Sequence, residues 1–129
     1  MNYLMVAIGG ALGSMARLWV STIVSERVTE TFPLGTLVVN ITGSFLIGLF
    51  AGMFRSGAST TARAFLMTGI CGGYTTFSSF SLQNLQLLES GKYYYAGLNT
   101  ALSFVLCMVA VWLGYVAGVA LAPASKVGN

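Results

Sequence analysis

The stretch Gly69-Ile70-Cys71-Gly72-Gly73-Tyr74-Thr75-Thr76-Phe77-Ser78-Ser79-Phe80-Ser81 decides how this chain is read. Adjacent glycines followed by threonines make a poor helix interior, because glycine has the most backbone entropy to lose and threonine loses χ1 freedom. The flanking residues are apolar enough to lie in a membrane. In lipid, interrupted helix survives only where it is buried in protein or lines a polar cavity. The stretch therefore predicts a break near mid-membrane, followed by hydroxyls and two phenylalanines three residues apart. That combination implies an ion-handling site.

The rest of the chain defines its solvent. Of 129 residues, 56% are hydrophobic and 7% charged, with a mean hydropathy of +0.81. Soluble domains carry about 25% charged residues. The charged side chains are Arg17, Glu26, Arg27, Glu30, Arg55, Arg63, Glu89, Lys92 and Lys126. Between them lie apolar runs long enough to cross a hydrocarbon core, which takes about 20 helical residues. Spans are expected at 3–23, 34–54, 64–88 and 95–122, within one transmembrane domain over 1–129. Pro33 opens the second span and Pro123 closes the fourth. The expected fold class is an all-α membrane protein of four transmembrane helices, the third broken near mid-membrane.

Several functions are disfavoured on composition. The N-terminus lacks the basic region and cleavage pattern of a signal peptide, so the first helix is expected to be retained. A net charge of +3 without a basic cluster does not fit a nucleic-acid surface. Cys71 and Cys107 fall within spans and read as buried free thiols acting as small apolar residues. With no His and no Asp, zinc sites and Ser–His–Asp chemistry are absent. No nucleophile–base pair or cofactor motif points to an enzyme.

Charge also bears on topology. Four spans place Arg55, Arg63 and Lys126 on one side and Arg27 and Lys92 on the other, with Arg17 nearer the second side. Orientation follows the Lys/Arg bias of short loops, and here the bias is slight. One consequence is insertion in both orientations and pairing as an antiparallel homodimer; the alternative is that a weak bias still orients the chain one way. The pairs Gly9/Gly13, Gly48/Gly52, Gly69/Gly73 and Gly114/Gly118 favour close helix contact.

No Asp or Glu falls inside a span, although buried acids are the usual mark of cation or proton transport. Arg17 lies inside the first, about four residues past its centre, or roughly 6 Å at 1.5 Å per residue. It could snorkel to the interface, or stand as a fixed positive charge at the mouth of an aqueous cavity. An embedded cation without an embedded carboxylate favours an anion as the ligand. Phe77 and Phe80 project from nearly one helical face. Their positive ring edges can approach a small anion, although packing phenylalanines would share that spacing. Thr75, Thr76, Ser78, Ser79 and Ser81 supply hydroxyl donors for an anion that has shed water. Asn40, alone in an apolar run, should not face lipid. Ser103 of the fourth span either joins this lining or bonds back to its own helix.

These residues resemble those of the bacterial fluoride channels, the Fluc or CrcB family, over essentially the whole chain. The markers are Gly9-Gly10-Ala11-Leu12-Gly13 leading to Arg17, Gly35-Thr36-Leu37-Val38-Val39-Asn40 with Gly43, and above all Gly72-Gly73-Tyr74-Thr75-Thr76-Phe77-Ser78-Ser79-Phe80-Ser81. The resemblance implies a dual-topology dimer in the bacterial inner membrane that lets fluoride leave the cell passively. It also implies that Phe77 and Phe80 meet fluoride through their edges and that Asn40 lines the pore. Arg17 would stand near the vestibule, with Thr76, Ser81 and Ser103 in a polar track. By the same resemblance, the backbone carbonyls of Gly72 and Thr75 would hold a structural sodium ion at the dimer centre. Gln83 stands where relatives often have Glu, and Asn99 and Cys107 where some have Tyr and Ser. A runner-up is the small multidrug exporter, also four-helical, but those proteins use an embedded Glu in the first helix, where this chain has Arg17. A third reading, a non-transporting partner subunit packed through its glycine faces, leaves the polar content of the third span without a role.

Overall fold

A computed structural model of the protein describes residues 1–28 and 31–122. Glu30, one of the charged side chains, and Pro123 and Lys126, which bear on the last span and on topology, lie outside the described residues. The chain's regular elements in that range are all helical: α1 (Asn2–Arg27), α2 (Leu34–Met53), α3 (Thr60–Arg63), a π-helical segment (Ala64–Cys71), α4 (Gly72–Tyr74), α5 (Phe77–Glu89) and α6 (Tyr93–Leu121). Three of these, α1, α2 and α6, are long and apolar enough to cross a membrane. The expected span 64–88 is not one helix. It is the interrupted run from α3 to α5, so the described residues hold three continuous spans and one broken element.

Local chemistry accounts for the boundaries. Pro33 precedes the first turn of α2, where its missing N–H costs nothing. The Ser59 hydroxyl accepts from the Ala62 N–H at 3.1 Å and caps α3. The turn between α5 and α6 passes through Gly91 at a φ of 73°, a conformation that L side chains rarely adopt. The break itself lies at Thr75 and Thr76, both extended, rather than at Gly72 and Gly73, which remain helical. The π-helical turns before it widen the helix over eight residues; such turns are uncommon and gather at functional sites.

Two glycine seams build the frame. Gly9 of α1 meets Gly69, Gly10 meets Gly73 and Gly13 meets the Ile70 backbone, while Gly48 and Gly52 of α2 lie against the α6 backbone at Val111, Tyr115 and Gly118, and Gly114 and Gly118 against the α2 backbone at Phe45 and Leu49. At Gly13 an added Cβ would run into the Ile70 carbonyl, and at Gly114 into the Phe45 carbonyl. Without a hydrophobic drive between helices in lipid, such backbone approach is a main source of packing energy. The polarity is inverted relative to a soluble protein. Trp19, Phe104 and Trp112 are exposed on the outside, while Thr36, Thr76 and Asn99 are buried. The break sends α5 away from α1 and against α6 and α2.

Candidate functional site

The site starts from how the break is held. Asn40 of α2 grips Thr76 from both ends of its amide: the Thr76 N–H donates to Asn40 Oδ1 at 2.8 Å, and Asn40 Nδ2 donates to the Thr76 carbonyl at 3.0 Å. A single side chain thus satisfies both backbone groups of an unwound residue, the requirement for broken backbone in lipid. The Thr76 hydroxyl then caps α5, accepting from the Ser79 N–H at 3.2 Å.

Both bonds have consequences for carbonyls upstream. In an unbroken helix the Thr76 N–H would close on the Gly72 carbonyl and the Ser79 N–H on the Thr75 carbonyl. Asn40 and the Thr76 hydroxyl divert these donors. The Thr75 carbonyl instead receives Arg17 Nη1 at 3.5 Å, and the Gly73 carbonyl receives the Ser14 hydroxyl at 3.3 Å. The break is thus a cluster of backbone oxygens released from helical bonding.

Two cavities meet at this point. The larger, about 1030 Å³, opens between α1, α2 and α5 and is lined by Ser14, Arg17, Thr36, Thr76, Ser79 and Gln83, among others. Glu26 and Lys92 belong to the same lining. The smaller, about 450 Å³, is lined by Asn40, Thr75, Thr76, Phe77, Phe80 and Ser103, with Phe104 and Cys107 beside them. No Asp, Glu, Lys or Arg lines the smaller cavity among the described residues. Thr76, the residue Asn40 clamps, lines both.

The sequence-derived residues fall into three groups. Asn40, Thr76, Phe77, Phe80 and Ser103 come together at the inner cavity. Phe77 and Phe80 form a tilted pair with ring centroids 5.4 Å apart and planes at 43°. Phe77 is 78% exposed on the single chain, so the inner cavity is open on one side. Arg17 stands in the outer cavity, on the far side of the break from the rings. Ser81 joins neither lining; its hydroxyl donates back to the Phe77 carbonyl at 2.9 Å. Gly72 is exposed and Thr75 half-buried, each presenting a carbonyl whose helical donor is diverted. Cys71 and Cys107 are free.

Some contributors escaped the sequence reading. The Ser14 contact and the π-helical turns carry no distinctive local pattern. Asn84 was legible in principle, since it follows Phe80 by four residues and shares its helical face. Its partner Asn99 lies on another helix, and no spacing rule connects them.

Long apolar helices around an interrupted one define a multi-pass membrane protein. The model of the family described as CrcB-like protein, Camphor Resistance (CrcB), matches residues 4–115. The chain is 54% identical over 123 residues to the fluoride-specific ion channel FluC of Opitutus terrae, covering 92% of this chain and 93% of that one. It is 52% identical over 127 residues to the protein of the same name from Methylocella silvestris, covering 94% and 95%. The Rhodospirillum rubrum protein of that name is 49% identical over 123 residues, covering 92% and 95%. The chain belongs to the CrcB family. Its relatives bear the names of channels rather than enzymes, and the exporter reading gives way to this membership.

Proposed function

We propose that the protein is a fluoride-selective channel for passive efflux across the bacterial inner membrane. The observation that carries the reading is the Asn40–Thr76 clamp, which holds an unwound residue between a vestibule containing Arg17 and a cavity edged by Phe77 and Phe80. An anion entering the vestibule meets positive potential first. Passing Thr76, it exchanges water for ring edges, hydroxyls and the Asn40 amide. Several modest sites let an ion enter and leave, where one deep site would trap it. The lack of carboxylates in the inner lining among the described residues disfavours cations and protons as cargo.

The functional unit in this reading is an antiparallel, dual-topology homodimer, each chain crossing four times with the run from α3 to α5 as the interrupted crossing. The exposed Phe77 and the open side of the inner cavity support a second copy as cover. The carbonyls of Gly72 and Thr75 fit a structural sodium ion, since a hard cation takes oxygen ligands and both have lost their helical donors; the Arg17 contact to the Thr75 carbonyl is long, at 3.5 Å, and leaves that oxygen's second lone pair open. When bound, that ion supplies fixed positive potential beside the pores. Phe77, Phe80, Asn40, Thr76 and Ser103 line the path, Arg17 draws the anion in, and Ser81 joins it only by releasing the Phe77 carbonyl.

Flux tests this directly. Proteoliposomes holding the purified protein are expected to release fluoride rapidly and chloride barely; equal rates would overturn selectivity. Phe80→Ile is expected to cut fluoride flux while leaving the dimer intact, and unchanged flux would return that ring to packing.

A further inference from the structure

Asn84 and Asn99 line neither cavity, and the proposal above gives neither a role. Asn84 lies four residues beyond Phe80, on the face of α5 that carries both rings. Asn99 of α6 is 1% exposed. Asn99 Nδ2 donates to Asn84 Oδ1 at 2.9 Å, and Asn84 Nδ2 donates to the Thr100 hydroxyl at 3.1 Å. Thr100 passes its own proton to the Ala96 carbonyl at 2.9 Å. The Ser103 hydroxyl reaches Asn99 Oδ1 only at 3.5 Å.

The direction of these bonds separates two hydroxyls that both line the inner cavity. Thr100 is engaged on both sides, as donor to Ala96 and acceptor from Asn84, and has no proton left for an anion. Ser103 is held by a long, weak bond, so its proton can turn towards the cavity.

Packing alone does not explain two asparagines here. Leucine is of similar size and avoids the cost of an amide in lipid. Intramembrane side-chain hydrogen bonds contribute little net stability on average. What the pair does supply is orientation. Beyond the Thr76 cap, the side chains of α5 make no other inter-helix hydrogen bond among the described residues.

We propose that the Asn84–Asn99 pair is a positioning element of the ion path, resting on the fluoride-conduction reading above. It sets the rotation of α5, and so of Phe77 and Phe80, against α6, and it leaves Ser103 as the α6 hydroxyl able to donate to the ion.

Asn84→Leu, Asn99→Leu and the double variant are compared with the unaltered protein in proteoliposomes, by fluoride and chloride flux. Each single variant is expected to lower the fluoride-to-chloride flux ratio about tenfold, the scale that one strong intramembrane hydrogen bond can carry. The double variant is expected to be no worse than the worse single, because both break one unit. Unchanged ratios, or losses that add, would overturn the proposal. If the leucine variants do not reconstitute, Thr100→Val keeps the shape and removes the acceptor of Asn84; a lowered ratio is expected, and an unchanged one would overturn the proposal. A silent unaltered protein would bring down the conduction reading, and this proposal with it. A conducting one with unaltered variants would bring down the positioning role alone.

Discussion

The seam between α2 and α6 and the contacts of α5 are two different answers to one problem, namely how to join helices where lipid is as apolar as the side chains. The seam uses glycines, with Gly48, Gly52, Gly114 and Gly118 bringing backbones together. The half-helix α5 is tethered through amides at both levels, Asn40 at the break and Asn84 with Asn99 further along. Glycine contact is tight and unforgiving of added volume. Amide contact is directional and leaves space beside it, here two cavities. The close-packed frame and the cavities beside the break therefore rest on different residue types, and the break is where one gives way to the other.

The sharpest way to break this contrast is at the frame. Gly114→Leu drives a side chain into the Phe45 carbonyl and is expected to cost about 3 kcal/mol or more, since overpacking of backbone contacts has no side-chain escape. Loss of monodisperse protein in detergent would register it; a normal elution profile would mean that the seam can open.

Next comes the clamp. Asn40→Ala strands the N–H and carbonyl of Thr76, at about 1–3 kcal/mol for each unsatisfied group. The frame is expected to persist, with helicity retained by circular dichroism, while fluoride flux collapses. Equal loss of helicity would show that frame and path are not separable.

Arg17 should matter less, and only conditionally. Arg17→Gln is expected to lower fluoride flux several-fold at low salt, with the deficit vanishing near 1 M salt. Screening lengths fall from about 30 Å at 0.01 M to about 3 Å at 1 M. A deficit independent of salt would assign Arg17 to holding the Thr75 carbonyl instead.

The smallest effect is expected at Tyr74, whose hydroxyl shares a 2.9 Å bond with Thr42 on an exposed face. Tyr74→Phe removes only that bond, at about 0.6 kcal/mol, the average for such bonds in membranes. Thermal stability would fall slightly and flux would not change.

Much of this was legible from residue order. Glycine and threonine are poor helix formers, so a break between 69 and 81 follows from propensity alone. Its placement does not. Gly72 and Gly73 stay helical while Thr75 and Thr76 unwind, because the partner that compensates unwinding, Asn40, reaches Thr76. The shared face of Phe77 and Phe80 was readable from a spacing of three. Where the Ser81 hydroxyl bonds was not legible from residue order, since a serine on a helix can satisfy itself on the preceding turn, as it does here. The π-helical turns over Ala64–Cys71 arise in an ordinary apolar run, where no local pattern marks them. The Asn84–Asn99 meeting is likewise a product of the fold.

The two-ended grip on Thr76 also orders events in time. Its holder, Asn40, precedes the unwound residue by 36 positions, so during synthesis from the N-terminus the template is already made when the interrupted segment emerges. The nascent chain need never carry bare amides into the hydrocarbon unaccompanied. A circularly permuted gene that delays α2 until last would remove this chaperoning by the protein's own earlier half, and such a product should stall at the translocon or be degraded.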